Sequence, residues 1–286
     1  SFSATMRETL DIFMEKTIPQ IVEDCLQRCG LEASEHYDIS GLTESYEPKE
    51  FVVQYKETDF AFISRLCEHN GIFFFVDHSS GKDVLTFGDA NSSFPTLERT
   101  PEIPFDPVHG DGGAFADHVG SVDVVTRPLP KRYTVRDYNF RLPGVDLLAS
   151  SEVDPAGLGE IVEYGAHFKG PNEGQRIADI RAQELVATKR VWNGRATAPS
   201  ICAGTKFMLA GHPLGDTELL VTEVHHDWAP QSAAQALSTS FAAIFAEVPY
   251  RPPRLTPKPR INGLITGMID ASIRDDYADI DDQERS

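Results

Sequence analysis

The stretch FVVQYKETDFAFISRLCEHNGIFFF, residues 51–75, decides the fold of this chain. Its first five residues, 51–55, predict a strand. Thr58 or Asp59 can then cap a helix, and the Asn-Gly pair that begins at Asn70 stops it. The predicted buried side of this helix consists of Phe60, Ile63, Leu66 and Cys67. The stretch therefore predicts a strand that leads directly into a short helix with one apolar side.

Two further elements complete this region. Residues 72–77 and 84–87, joined by a polar turn, predict a β-hairpin. Upstream, residues 17–30 have apolar side chains at helical spacing, with a threonine placed to cap the first turn and a glycine placed to end the last. Residues 1–90 are therefore expected to form an α+β unit in which helices pack on a small antiparallel sheet.

The rest of the chain divides into four segments. Residues 91–120, interrupted by four prolines, predict a linker or a surface excursion. In residues 121–248 strands outnumber helices, which favours a β-barrel or sandwich that carries one helix. Residues 249–260, with five prolines, predict a stiff connector. Residues 261–286 begin a new strand pattern that breaks off in an acidic tail. The predicted strands within residues 121–248 are 121–125, 133–138, 206–210, 218–224 and 238–245, and the predicted helix is 173–189.

Length and charge limit the classes of partner. At 286 residues the chain is longer than one typical domain, and its net charge is −18. Such a charge repels phosphate backbones and anionic lipid, so neither nucleic acid nor direct lipid binding is expected. No apolar run approaches the ~20 residues that span a bilayer, and no signal peptide is visible.

The cysteines lack zinc-site spacing and are expected to be buried, reduced thiols, which favours folding in a reducing compartment. They are Cys25, Cys29, Cys67 and Cys202.

Patterns typical of catalysis or metal binding are incomplete. The Glu-His pair at residues 68–69 lacks the second histidine of a zinc protease. The adjacent histidines at residues 225–226 point to opposite faces of a strand, so one core-facing and one surface imidazole are expected. The glycines at 110–113 lack the context of a phosphate loop, and the aspartates at 275–282 lack the spacing of an EF-hand. The sequence therefore predicts no catalytic, cofactor-binding or metal-binding residues, and no cofactor.

A family resemblance links these segments. Residues 51–75 resemble the "VQY-x-E-(S/T)-D" strand and "RL-x-E-x-x-GI" helix of VgrG-type spike proteins of type VI secretion, and of the related late-control proteins of phage tails. KTIPQIV at 16–22 is similar to the helix that precedes them in that family. GTKFMLAGHP at 204–213 and RPPRLTPKPRING at 251–263 are similar to its "G-x-x-F-x-L-x-GHP" strand and to its proline connector into an OB-fold. The four matches follow the family order.

The resemblance implies an α+β, mainly β fold: tandem β-barrel-like hub domains with a small helix-bearing unit, followed by the start of an OB-fold. The family's N-terminal barrel portion should precede residue 1, and residues 261–286 would supply only the first strand of the OB-fold, so a truncated chain is expected. The resemblance also implies a homotrimer at the base of a membrane-piercing spike, matched to the hexameric ring of an Hcp-like tube. Baseplate components and effector or spike-tip proteins are further implied partners.

Three functions remain open at this point. The first is the spike base, a structural protein that assembles in the bacterial cytoplasm and is then secreted or injected without a signal peptide. The second is a cell-wall hydrolase, because the resemblance to phage baseplate spikes implies that such proteins can carry a lysozyme domain, which would lie beyond residue 286 or in an insertion. Within this chain, acidic residues are abundant and the separation of paired carboxylates is not visible in the sequence. The third is a phage tail baseplate hub, which genomic neighbours would distinguish from a secretion spike.

Overall fold

A computed structural model describes residues 2–108, 117–141, 144–228, 237–261, 263, 264 and 266. The helices are α1 (Phe2–Met6), α2 (Ile18–Arg28), α3 (Asp59–Asn70) and α4 (Pro171–Ala187), with a 3₁₀ turn at Asn91–Ser93. The strands are β1 (Glu8–Lys16), β2 (Tyr37–Gly41), β3 (Lys49–Thr58), β4 (Phe73–Asp77), β5 (Val84–Gly88), β6 (Glu102–Pro104), β7 (Val119–Thr126), β8 (Arg132–Asp137), β9 (Leu147–Glu152), β10 (Glu160–Tyr164), β11 (Arg190–Ala196), β12 (Lys206–Ala210), β13 (Thr217–Trp228) and β14 (Leu237–Phe245). The three helices and the hairpin that the sequence predicts are confirmed.

Local chemistry explains where α2 and α3 begin and end. At the start of α2, the Thr17 side chain accepts a hydrogen bond from the Gln20 backbone, and the Gln20 side chain accepts one from the Thr17 backbone. At the start of α3, Thr58 Oγ1 accepts a hydrogen bond from Ala61 N at 3.1 Å. Gly71 ends α3 in the left-handed conformation, with φ +70°. Both helices therefore start and stop where the sequence predicts.

The two helices pack into one core with the β2–β5–β4 sheet. Buried apolar side chains from α2, α3 and this sheet form a single cluster, which contains Ile21, Cys25, Phe62, Cys67 and Phe87. Strands β4 and β5 form the predicted antiparallel hairpin, whereas β2 runs parallel to β5. The sheet is therefore mixed where an antiparallel sheet was predicted. The sequence did not reveal β2 because its five residues, YDISG, carry little apolar pattern.

Strands β1 and β3 form a separate two-stranded antiparallel ribbon, whose register places Ile12 opposite Val53 and Met14 opposite Phe51. The register shifts beside Lys56, which has a positive φ of 46° and makes a β-bulge. One face of the ribbon covers the helices, since Phe13 is buried in their core.

Residues 102–245 include a closed barrel. Its six strands follow the order β6–β12–β13–β14–β11–β7. A bridge between Phe105 and Val119, and a hydrogen bond of 2.9 Å from Asp106 N to Val119 O, join the two ends of the sheet. The interior holds aromatic side chains from facing strands, notably Trp192 and Phe207. Part of the predicted linker, residues 91–120, therefore belongs to the barrel wall as β6, with its Ile103 side chain buried in the barrel interior.

A fourth sheet, β10–β8–β9, lies between strands β7 and β11 in the chain and packs against α4. Its inner face contributes Val135 and Leu147, and α4 contributes Ile177 and Ala178. Strand β10 pairs in parallel with β8, and β9 pairs antiparallel with it. This sheet and its helix form a second helix-covered layer beside α3.

Residues 249–261 have no regular secondary structure. Apart from residues 263, 264 and 266, the segment 262–286 lies outside the described residues, and with it lie the predicted OB-fold start and the aspartates at 275–282. The glycines at 110–113 also lie outside the described residues. Among the residues that are described, no helix combines the length and the apolar character needed to cross a bilayer.

Candidate functional site

The Glu-His pair at the end of α3 has a structural role. Glu68 accepts hydrogen bonds from the backbone and hydroxyl of Thr256, at 2.9 and 2.7 Å. Burial lowers the pKa of His69 to about 3, and the positive charge of Arg181 lowers it further in the same direction. His69 is therefore a neutral imidazole at physiological pH, and the Glu68 carboxylate is already engaged.

The histidines at residues 225–226 both lie in an exposed part of β13. His225 Nε2 lies 3.1 Å from Asp227 Oδ1, and His226 Nδ1 lies 2.9 Å from Thr239 Oγ1. The expectation that one of them faces the core is wrong, because the end of the β13–β14 pair carries exposed residues on both faces. Within the described parts of the chain, no group of three or more His, Cys, Asp or Glu residues is placed to hold a metal ion.

None of the four cysteines forms a disulfide. Cys25 and Cys67 are buried as predicted, whereas Cys29 and Cys202 are only partly buried. Burial raises the pKa of Cys25 to about 12 and that of Cys29 to about 11. High pKa values keep these thiols protonated, so they are poor nucleophiles.

The outer face of the β1–β3 ribbon carries a row of exposed apolar side chains. Leu10, Ile12 and Met14 alternate along β1 and are 65%, 54% and 62% exposed, and Phe51 opposite Met14 is 57% exposed. Val53 continues the row beside Ile12. An exposed apolar face of this kind is typical of a binding surface. We call it the ribbon face.

The outer face of the β10–β8–β9 sheet is the second open surface. The register places Arg136 between Tyr164 on β10 and Leu148 on β9, and Val162 lies one rung away. All four side chains are exposed. Tyrosine and arginine are enriched in protein interfaces because they combine a large contact area with polar contacts. We call it the sheet face.

Ion pairs connect the regions that carry these two faces. The Arg141 guanidinium, in the loop after β8, donates two hydrogen bonds to the Glu50 carboxylate on β3, at 2.9 and 3.1 Å. Lys169 also donates to Glu50. Hydrogen bonds from Arg141 and Lys169 lower the pKa of Glu50 to about 2. Lys49 pairs with Glu173 at the start of α4.

The sequence predicts strands at residues 51–55 and 133–138, but it assigns no residue of either face to a contact surface. A signal was present in β1, where Leu10, Ile12 and Met14 recur with a period of two. Strand β10, with the sequence EIVEY, is too short for such a signal to stand out. Neither pattern alone indicates which face of the strand is exposed. The structure shows that the apolar side chains are the ones that point outward.

A closed barrel, a helix-bearing unit and two open apolar sheet faces define a structural assembly protein. Residues 3–232 match the family model described as phage tail baseplate hub (GPD), and the chain belongs to this family. It is 29% identical to the type VI secretion system spike protein VgrG5 of Pseudomonas aeruginosa, in an alignment that covers 90% of this chain and 35% of VgrG5. The chain spans about a third of the length of the curated relatives it matches.

Solved structures share the fold. The Escherichia coli c3393 protein, a component of the type VI secretion system described as similar to the bacteriophage T4 tail proteins gp27 and gp5, has a TM-score of 0.61 at 20% identity over 90% of this chain and 56% of that structure. The prophage MuSo2 tail protein of Shewanella oneidensis has a TM-score of 0.59 at 14% identity over 87% of this chain and 73% of that structure. The predicted resemblance to VgrG-type spike proteins and phage baseplate hubs is confirmed.

Proposed function

We propose that this chain forms, as a homotrimer, the base of the puncturing spike of a contractile injection apparatus. The observation that carries the proposal is the pair of open sheet faces on a chain of the baseplate hub family. A ring of three copies needs two different surfaces on each copy, because every contact in the ring joins one surface to the other. The ribbon face and the sheet face differ in composition, as such a ring requires.

Charge supports a contact between these two faces. Glu8 and Glu15 are exposed on β1, the strand that carries most of the ribbon face. On the sheet face, Arg136 has no ion pair among the residues that the structure describes. In a head-to-tail contact, Arg136 of one copy would approach Glu8 and Glu15 on β1 of the next copy. The apolar side chains of both faces would be removed from water in the same contact. Burial of exposed apolar area stabilises such a contact by roughly 25 cal/mol per Å².

Light scattering on the complete gene product tests the trimer. We expect a mass of three chains for the wild type, and a shift towards one chain for Ile12→Asp on the ribbon face and for Val162→Asp on the sheet face. Leu214→Asp is the matched control, because Leu214 is equally exposed but lies in the loop between β12 and β13. A wild type that stays monomeric at micromolar concentrations, or equal loss in the control, would contradict the proposal.

The tube below the spike is the second part of the proposal. The family resemblance implies two barrel-like domains in each copy, so a trimer would have pseudo-sixfold symmetry and would match the hexameric ring of an Hcp-like protein. Interfaces of this permanent kind bury on the order of 2,000 Å² or more. The complete trimer is expected to bind such a ring in a sedimentation assay, whereas the monomeric Ile12→Asp variant is expected to bind weakly. Equal binding by trimer and monomer would show that symmetry is not needed.

The same account covers chemistry and location. We propose that these residues catalyse no reaction, and that any hydrolase or effector activity resides outside them. We also propose that the chain assembles in the bacterial cytoplasm and leaves with the spike, which agrees with four cysteines that form no disulfide. A phage tail hub is the alternative carrier of the same trimer, and the prophage tail protein noted above has the same fold.

A further inference from the structure

The proline-rich connector is attached to the body of the protein at several points, although it has no helix or strand. At its start, Tyr250 N donates a hydrogen bond of 2.9 Å to Asn91 Oδ1. The Asn91 side-chain amide in turn donates to the carbonyls of Ala246 and Val248, at 2.9 and 2.7 Å. The Asn91 side chain thus holds the chain in place as it leaves β14.

Arg251 is the deepest attachment, since the residue is only 9% exposed. Its Nη1 donates to the carbonyls of Gly71 and Asp89, at 3.0 and 2.6 Å. Nε donates to Gln183 Oε1 at 2.7 Å, and Nη2 donates to Glu44 Oε1 at 3.1 Å. One guanidinium therefore joins the end of α3, the end of β5 and the middle of α4. These carbonyls would be buried without partners if the side chain were removed.

The approach of Arg251 also explains a glycine. A Cβ at Gly71 would lie 3.1 Å from Arg251 Cδ and 2.9 Å from Ile180 Cγ2. The positive φ that ends α3 already favours glycine there. Glycine at position 71 therefore allows both the left-handed end of α3 and the close approach of Arg251.

Arg254 makes the next attachment. Its two terminal nitrogens donate to the two carboxylate oxygens of Glu163 on β10, at 2.7 and 2.9 Å, and Nη2 also donates to Tyr133 Oη on β8 at 3.1 Å. A two-pronged arginine–carboxylate pair fixes orientation as well as distance. Thr256 then bonds to Glu68 on α3 through its backbone and its hydroxyl.

These contacts reach β5, α3, α4 and the β10–β8–β9 sheet from a single segment of ten residues. Prolines at 249, 252, 253 and 257 limit the conformations of this segment before it docks. We propose that residues 249–258 are a strap that fastens the barrel to both helix-bearing layers and fixes the direction in which the chain leaves the hub. A free spacer would allow the following segment to swivel. The strap prevents that motion, whether or not the chain forms a trimer.

Limited digestion with trypsin tests the strap on the intact chain. Within 249–261, the bonds after Arg251 and Lys258 precede proline and resist trypsin, which leaves the bonds after Arg254 and Arg260. Arg260 is exposed and lies past the last attachment, so its bond is an internal control. We expect cleavage after Arg254 to be slower than cleavage after Arg260 by at least about tenfold, because it requires the strap to open.

The variant Arg251→Gln is expected to speed cleavage after Arg254 by about tenfold and to leave cleavage after Arg260 unchanged. Circular dichroism checks that the variant folds. If it does not, Thr256→Val, which keeps the shape of the side chain and removes its hydroxyl bond to Glu68, should give a smaller increase at the same bond. Equal wild-type rates at the two bonds, or no change after Arg254 in a folded variant, would overturn the proposal.

Discussion

The ribbon and the connector form opposite kinds of structure. The β1–β3 ribbon has regular backbone pairing, yet its outer face is apolar and open to solvent. The connector has no regular pairing, yet a nearly buried arginine and several side-chain hydrogen bonds hold it. Regular secondary structure and fixed position are therefore separate properties in this chain. The ribbon face is free to bind another surface, whereas the connector is already bound to the body of the protein.

The largest effect is expected inside the ribbon. Phe13 is buried against α3, where its ring stacks on that of Phe62 at 5.5 Å between centroids. Phe13→Ala should lower the free energy of unfolding by about 3–4 kcal/mol, because it removes buried area and leaves a cavity. Ile12→Ala on the opposite face should change it by less than about 0.5 kcal/mol. Chemical denaturation measures both, and equal effects would show that the two faces of β1 are not distinct.

The second-largest effect on the free energy of unfolding is expected in the connector. Arg251→Ala leaves the carbonyls of Gly71 and Asp89 without their donor, so we expect a loss of about 2–3 kcal/mol in the free energy of unfolding. Arg260→Ala, at an exposed arginine of the same segment, is the control and should have no measurable effect. A loss below that of an ordinary surface substitution would mean that the connector rests on the surface without stabilising it.

A smaller, pH-dependent effect is expected at Arg254. Burial raises the pKa of Glu163, but hydrogen bonds from Arg254 and Tyr133 outweigh burial and hold that pKa at about 2. A lowered carboxylate pKa stabilises the fold above the unfolded value, about 4.3 for glutamate, and this contribution is lost as pH falls towards 2.

Arg254→Gln should therefore cost about 1–2 kcal/mol at pH 7. The difference from the wild type should shrink between pH 4 and pH 2, as measured by denaturation at each pH. A difference that stays constant down to pH 2 would show that Glu163 is not the partner that matters.

The parts of the fold that were predicted depend on neighbours in the chain. Helix α3 was predicted because Thr58, the apolar spacing and Gly71 all lie within fourteen residues. Closure of the barrel was not predicted, because Phe105 and Val119 pair through a short parallel bridge that leaves no periodic signal in the sequence. The stiffness of the connector was predicted from its prolines alone.

The attachment of the connector could not be predicted in the same way. Arg251 bonds to carbonyls 180 and 162 residues earlier in the chain. Nothing in one sequence pairs an arginine with a distant backbone oxygen. The open faces were only partly predictable. The alternation of apolar residues in β1 is visible in the sequence, but it does not show which face of the strand is exposed to solvent.

Amide hydrogen exchange, compared between the chain alone and the assembled complete gene product, measures the ribbon and the connector in one experiment. We expect residues 8–14 to exchange more slowly in the assembly, since the ribbon face becomes covered. We expect the amides of Tyr250 and Thr256 to exchange slowly and equally in both samples, since the strap is closed before assembly. A ribbon unchanged by assembly, together with a connector protected only in the assembly, would contradict both expectations.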